Sequence, residues 1–213
     1  ACAPYRRLHL CNKNMVKMDS TKIKDSLKAK NDLLLDVCMA AYYEGDSIKT
    51  HFPPYQNKYV DVGFTMCTML ARSFADIGDI VRGKDLYFGK KKKKNRNRNR
   101  KRKIRRKFEK NFRENTEGLS RTSGAQTYYN GDKENFYRLR EDWWTENRHT
   151  VWKAMTCSDE LANYKYFRAT CGSGETQHVT PSQCRCDDNP NTDPPTYFDY
   201  VPQYLRWFEE WAE

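Results

Sequence analysis

The sequence predicts an all-α fold, a helical bundle with long, disulfide-pinned loops. Three observations predict it. Four stretches carry apolar residues at helical spacing, a fifth does so weakly, and no stretch makes a convincing strand. Aromatic residues form 14% of the chain and gather on those stretches, so the helices need one another for cover. Eight cysteines, four of them between Cys157 and Pro195 among several Gly and Pro, cross-link the loops and suit a compartment outside the cytosol.

In chain order, Ala1 to Met18 is short and irregular, with Cys2, Pro4 and Cys11. A first helix is predicted from about Thr21 to Glu44. Asp19 or Ser20 caps it, Gly45 ends it, and Ile23, Leu27, Leu34, Cys38 and Ala41 mark its buried stripe. The HFPPY run from His51 to Tyr55 breaks the chain. A second helix is predicted from about Tyr59 to Arg82, with Val60, Phe64, Cys67, Ala71, Phe74, Ile77 and Val81 inward, Gly78 for close approach and Gly83 as C-cap. Cys38 and Cys67 on core stripes read as structural cysteines, not reactive thiols. Ile104, Phe108 and Phe112, four apart, give a weaker helical signal, and Glu117 to Asp132 reads as a loop.

The stretch from Arg138 to Cys157 holds three of the five tryptophans and no Gly or Pro. Tyr137, Trp144, Val151 and Met155 share a stripe that Trp143 and Trp152 widen, with the stems of Arg140 and Arg148 covered beside it. Cys157 to Pro195 reads as a disulfide-held loop region. Asp199 then caps a last helix with Pro202 near its first turn. Its stripe is Val201, Leu205, Phe208 and Ala212, and Phe208 and Trp144 are expected to be buried against the second helix.

The net charge of +11 is local. Residues 90–107 hold 14 Lys/Arg and no acid, and the rest of the chain is mildly acidic. Such a run binds polyanions by counterion release. Three readings compete: a nucleic-acid arm, a sulfated-glycan contact, and a solvated low-complexity insertion, which composition alone favours. Oxidised cysteines and the lack of interleaved aromatics before Ile104 count against nucleic acid.

An enzyme is not expected. His9, His51, His149 and His178 are scattered, and neither His-Glu-x-x-His, Gly-x-Ser-x-Gly nor a phosphate loop occurs. Cys171-Gly172-Ser173 continues as Gly174-Glu175, unlike a papain-type nucleophile motif, and Glu209-Glu210 point about 100° apart on a helix. Cys157, Cys171, Cys184 and Cys186 match no common zinc spacing, so neither metal nor cofactor is expected. No apolar run is long enough to span a bilayer, and no Asn-x-Ser/Thr sequon occurs. A start at Ala1 and a stop inside a helical pattern at Glu213 read as a piece of a longer protein.

Four blocks carry a family resemblance: ACAPYRRLHLC at Ala1 to Cys11, DIGDIVRGKDLYFG at Asp76 to Gly89, LREDWWTENRHTVWKAMTC at Leu139 to Cys157, and PTYFDYVPQYLRWFEEWAE at Pro195 to Glu213. Together they resemble the alpha-class Duffy-binding-like domain of the variant erythrocyte membrane proteins that Plasmodium falciparum exports to the infected red-cell surface. The resemblance implies three subdomains: residues 1–18 end the first, residues 19–213 form the second with the basic insertion 90–107, and the third is absent. It implies an adhesin for cytoadherence, rosetting and antigenic variation. Its partners would be host-cell surface receptors, sulfated or blood-group glycans, other domains of the parent chain and antibodies, but no nucleic acid. The domain would face outward on the infected erythrocyte, its anchor lying outside this piece.

The basic run falls where that family is hypervariable. The stretch between the second and last blocks has four cysteines, where the subset most associated with rosetting has two. By the resemblance, Cys2 and Cys11 have partners upstream, and Cys67 pairs with Cys184 or Cys186. Cys171 takes one of that pair, leaving Cys38 with Cys157. The candidate glycan contacts are Lys90, Lys91, Lys92, Lys93, Lys94, Arg96, Arg98, Arg100, Lys101, Arg102, Lys103, Arg105, Arg106 and Lys107.

Overall fold

The structure, a computed structural model, describes residues 2–17, 26–58, 65–87, 99, 102–104, 106–113, 128–129, 136–189 and 191–212. Short helices α1 (Tyr5–Leu8) and α2 (Lys13–Lys17) precede α3 (Ser26–Lys58) and α4 (Met66–Arg82). Residues 106–113 are helical, followed by α5 (Tyr137–Met155), three 3-10 turns and α6 (Gln203–Ala212). No strand occurs among the described residues, only two isolated bridges. The fold is thus all-α, with α3, α4 and α5 packed on one another around a shared core.

α4 is the central post. Thr65 caps its start by accepting from the Thr68 amide, and Gly83 at φ 80° ends it in the left-handed conformation. Cys67, Ala71, Phe74, Ile77 and Val81 are fully buried. A Cβ on Gly78 would sit 2.7 Å from the Trp144 ring, so the missing side chain lets α5 press its indole onto α4. Trp144 in turn contacts Phe74, their centroids 5.1 Å apart. Arg140 closes the C-terminal end of α4, its Nε and Nη2 donating to the carbonyls of Val81 (2.6 Å) and Ile80 (3.2 Å), where a cation meets the negative end of the helix dipole.

Several expectations are corrected. The first helix does not stop at Gly45 or break at HFPPY but runs to Lys58. At Gly45 an added Cβ would lie 2.1 Å from the Met155 carbonyl oxygen, so this glycine serves helix approach rather than termination. Buried Ile48 and Phe52 anchor the continuation, packing that overrides the local proline penalty. Residues 2–17 form two short helices rather than an irregular tail. Tyr137 is exposed, off the buried stripe of α5. Ile23, Leu27, Val60, Phe64, most of the 117–132 loop and the Asp19 or Ser20 cap lie outside the residues, or the side chains, that are described.

Cys67 on α4 is bonded to Cys184, and Cys171 to Cys186. A tight turn sets both up. Ser182 accepts from the Arg185 amide at 2.9 Å, with Gln183 and Cys184 between them at positive φ. This aims Cys184 at α4 and returns Cys186 towards Cys171. Cys38 and Cys157 are not bonded to each other. α3 meets Met155 at Gly45, and Lys49 reaches Ser158 at 3.3 Å, so the chain leaves α5 beside residues 45–49. Cys38 is seven residues back from Gly45, about 10 Å along the axis, beyond the span of a disulfide.

Candidate interaction surfaces

α6 is seated through its polar side. Gln203, Arg206 and Trp207 are buried, spaced three and four residues apart on one face, and Glu210 continues that face a turn later. They meet acids of α4 and the turn after it. Arg206 Nη2 pairs with Asp76 at 3.0 Å and with Asp79, Gln203 donates to Asp76 (3.1 Å) and Asp85 (3.0 Å), and the Trp207 indole donates to Asp76 at 3.3 Å. The N-terminal segment completes the joint. Arg6 bridges Asp76 and Glu210, each at 2.8 Å, and Arg7 pairs with Asp85 at 2.7 Å. Burial alone would raise the Asp76 carboxyl, but Arg6, Arg7 and Arg206 outweigh it and hold the group below its usual value.

A second joint lies one helix away. Asp199 is not the N-cap of α6. It sits buried in the 3-10 turn Phe198–Tyr200, accepting from Arg148 Nε and Nη2, both at 2.9 Å, and from the Trp144 indole at 2.8 Å. The Arg148 guanidinium also lies 5.5 Å from the Tyr197 ring centroid and 5.1 Å from that of Tyr200, bracing both rings from inside while they stay half exposed.

The opposite side of α6 overturns the expected packing. Phe208 is 74% exposed, and Val201, Leu205, Ala212, Tyr204 and Trp211 are exposed with it. Acids on α4 select the arginine and glutamine side of α6, so its apolar stripe is left outside. Periodicity groups residues onto one face but does not say which face its neighbour takes. A signal was present nonetheless: the resemblance blocks contain Arg6-Arg7, Asp76, Asp79, Asp85 and Arg206, the two sides of one charge network.

Of the candidate glycan contacts, Arg102, Lys103 and Arg106 are exposed on a helical stretch and Lys107 is half-buried. Lys90, Lys91, Lys92, Lys93, Lys94, Arg96, Arg98, Arg100, Lys101 and Arg105 lie outside the described residues. Ile104, Phe108 and Phe112 are buried, with Phe112 edge-on to Trp143 at 6.3 Å. No group of three or more potential metal ligands occurs among the described residues, and no described helix is long and apolar enough to cross a membrane.

A family model for the Duffy binding domain matches residues 1–206. The NTS-DBL1(alpha-1) domain of Plasmodium falciparum membrane protein 1 (PfEMP1) from the varO strain is 41% identical, with a TM-score of 0.69 over 100% of this chain and 43% of its own. The varO NTS-DBL1-alpha and CIDR-gamma double domain is 39% identical, with the same TM-score over 100% of this chain and 28% of its own. The PfEMP1 IT4var13 DBLbeta domain bound to ICAM-1 is 28% identical, with a TM-score of 0.68 over 100% of this chain and 44% of its own. This chain therefore spans less than half the length of these structures. No curated protein matches it.

Proposed function

The chain belongs to the Duffy binding domain family, and on that premise we propose that it is a non-enzymatic, host-receptor-binding adhesion module of a variant antigen on the surface of infected erythrocytes. One observation carries the reading: a relative solved with the host receptor ICAM-1 shares this fold across the whole chain. The disulfides Cys67–Cys184 and Cys171–Cys186 suit an extracellular setting. Sulfated or blood-group glycans are further ligands, with the basic run as a contact, and cytoadherence, rosetting and antigenic variation are the activities served. Residues 1–18 act as the end of a first subdomain and residues 19–213 as most of a second, with the basic insertion 90–107. The apolar outer side of α6 is assigned to other domains of the same parent chain, since the related structures are more than twice as long.

The test is binding of the oxidised chain, within its complete domain, to an array of host receptors and glycans. Saturable capture by at least one receptor, lost on reduction of the disulfides, is the expected result. Capture of none above the reduced control would overturn the reading. Equal binding to duplex DNA and to glycans would support a non-specific polyanion binder instead.

A further inference from the structure

We propose that the joint between residues 2–7 and α6 is a tension clasp, which takes the load when the chain is pulled by its two ends, while the Cys67–Cys184 bridge keeps α4 and α5 off the load path. The proposal takes only the source of the tension, an adhesin held between its anchor and its receptor, from the function above. Groups 204 and 209 positions apart in the sequence meet here. The Trp211 indole donates to the Cys2 carbonyl at 2.9 Å. Arg6 holds Glu210 with both prongs of its fork, Nε to Oε1 at 3.0 Å and Nη2 to Oε2 at 2.8 Å. Paired, charge-assisted bonds of this kind are among the strong ones.

Both partners are in turn fixed to α4. The Asp76 carboxylate takes Arg6 of α1 at 2.8 Å and Arg206 of α6 at 3.0 Å. Arg7 pairs with Asp85 at 2.7 Å and lies 4.8 Å from the Tyr87 ring centroid. Arg6 Nη1 donates to the Ser73 hydroxyl at 3.0 Å, and that hydroxyl donates to Glu44 of α3 at 2.7 Å. Glu44 also accepts from the Cys11 amide at 2.8 Å, so the whole N-terminal segment is tied down. The Arg6 and Glu210 side chains are only 8% and 10% exposed, and a covered pair is screened little by salt.

Pulling Cys2 away from Trp211 strains these bonds before any others, and bonds that share one load side by side must break together. Opening the joint takes Arg6 away from two covered carboxylates, a harder step than parting an exposed ion pair. The bridge then sets what can follow. Tension that enters before Cys67 crosses directly to Cys184, so the loop it closes, 117 positions long, stays unloaded. That loop holds α5 and all of α4 beyond Cys67. The clasp therefore fixes when the chain begins to lengthen, and the bridge preserves the α4–α5 contact at Gly78 and Trp144 after it has.

The test holds the oxidised full chain at constant tension between two handles and reads the time to first lengthening. Handles at Ala1 and Glu213 load the clasp. Handles at the exposed Asp46 and Asp188 load the Cys67–Cys184 bridge and bypass the clasp. A variant with Arg6→Gln and Glu210→Gln is expected to lose about tenfold in lifetime with end handles and no more than about twofold with side handles. Equal losses in the two geometries would make the joint a mere contributor to stability and overturn the clasp, as would an unchanged end-pulled lifetime. Should that variant fail to fold, Trp211→Phe decides, because Trp211 is 59% exposed and the change removes only its bond to Cys2. It is expected to shorten the end-pulled lifetime about threefold, and no change overturns the proposal. Reduction is expected to lengthen the fully extended chain by the loop between Cys67 and Cys184, and an unchanged final length overturns the bridge's part. The lifetimes are read without a receptor, so a chain that captures none on the array yet shows the end-pull effect sinks the adhesion reading and keeps the clasp.

Discussion

α4 and α6 are both amphipathic by sequence, yet they are buried by opposite rules. α4 puts its apolar stripe into the core and then has its acids, Asp76 and Asp79, covered as well. α6 turns arginine, glutamine and one tryptophan inward and leaves Leu205, Phe208 and Trp211 outside. The difference lies in what each helix meets. α4 packs on α3 and α5 through apolar surface, which leaves its carboxylates needing partners. α6 and the N-terminal arginines supply those partners, since a buried charge without a counter-charge costs several kcal/mol. One helix is held by area and the other by charge matching, which frees the apolar side of the second for another contact.

That contrast can be broken in steps. The largest effect belongs to the disulfide tying α4 to the loop. Its cysteines are 117 residues apart, so replacing Cys67 and Cys184 with alanine should cost about 4–5 kcal/mol in the chain-entropy account. The same change at Cys171 and Cys186, 15 apart, should cost about 3 kcal/mol. Denaturant titration showing the shorter bridge to be the costlier would contradict this account of the post.

Two neighbours on α6 give the sharpest test. Trp207 is 1% exposed and Phe208 is 74% exposed. Trp207→Ala should cost about 3–5 kcal/mol, while Phe208→Ala should change stability by no more than about 0.5 kcal/mol. Thermal melts in the opposite order would mean that α6 sits with its apolar stripe inward after all.

Acid should act on the charge-matched helix rather than on the apolar contacts. The Asp76 carboxyl is depressed in the folded state, so its contribution is fully present above the unfolded value near 4 and is lost as pH falls through the folded one. The Asp79 carboxyl, raised by burial to about 6, works the other way, so urea midpoints should rise slightly as pH falls from about 7 to 5 and drop below about pH 4 as Asp76 is protonated. In Asp76→Asn that acid-induced drop should shrink, and an unchanged drop would show the network to be a bystander. At the helix contact, Gly45→Ala should cost about 1–3 kcal/mol, because the new methyl meets the Met155 carbonyl. A neutral result by calorimetry would mean that α3 and α5 separate freely there.

The sequence by itself determined the helical class, the inward stripe of α4, the left-handed end at Gly83 and the tryptophan face of α5. Each follows from neighbours within one or two turns, where backbone sterics and periodicity act. The tertiary structure decided what depends on a distant partner. Gly45 became a contact point because Met155 lies against it. Asp199 became a buried counter-ion because Arg148 stands over it. α6 turned its aromatic side outward because Asp76, Asp79 and Asp85, more than a hundred residues earlier, take partners from its polar side, with Arg6, Arg7 and Arg82 completing the network. Periodicity says which residues share a face, but where that face points is set by the charge and shape of the surface it meets.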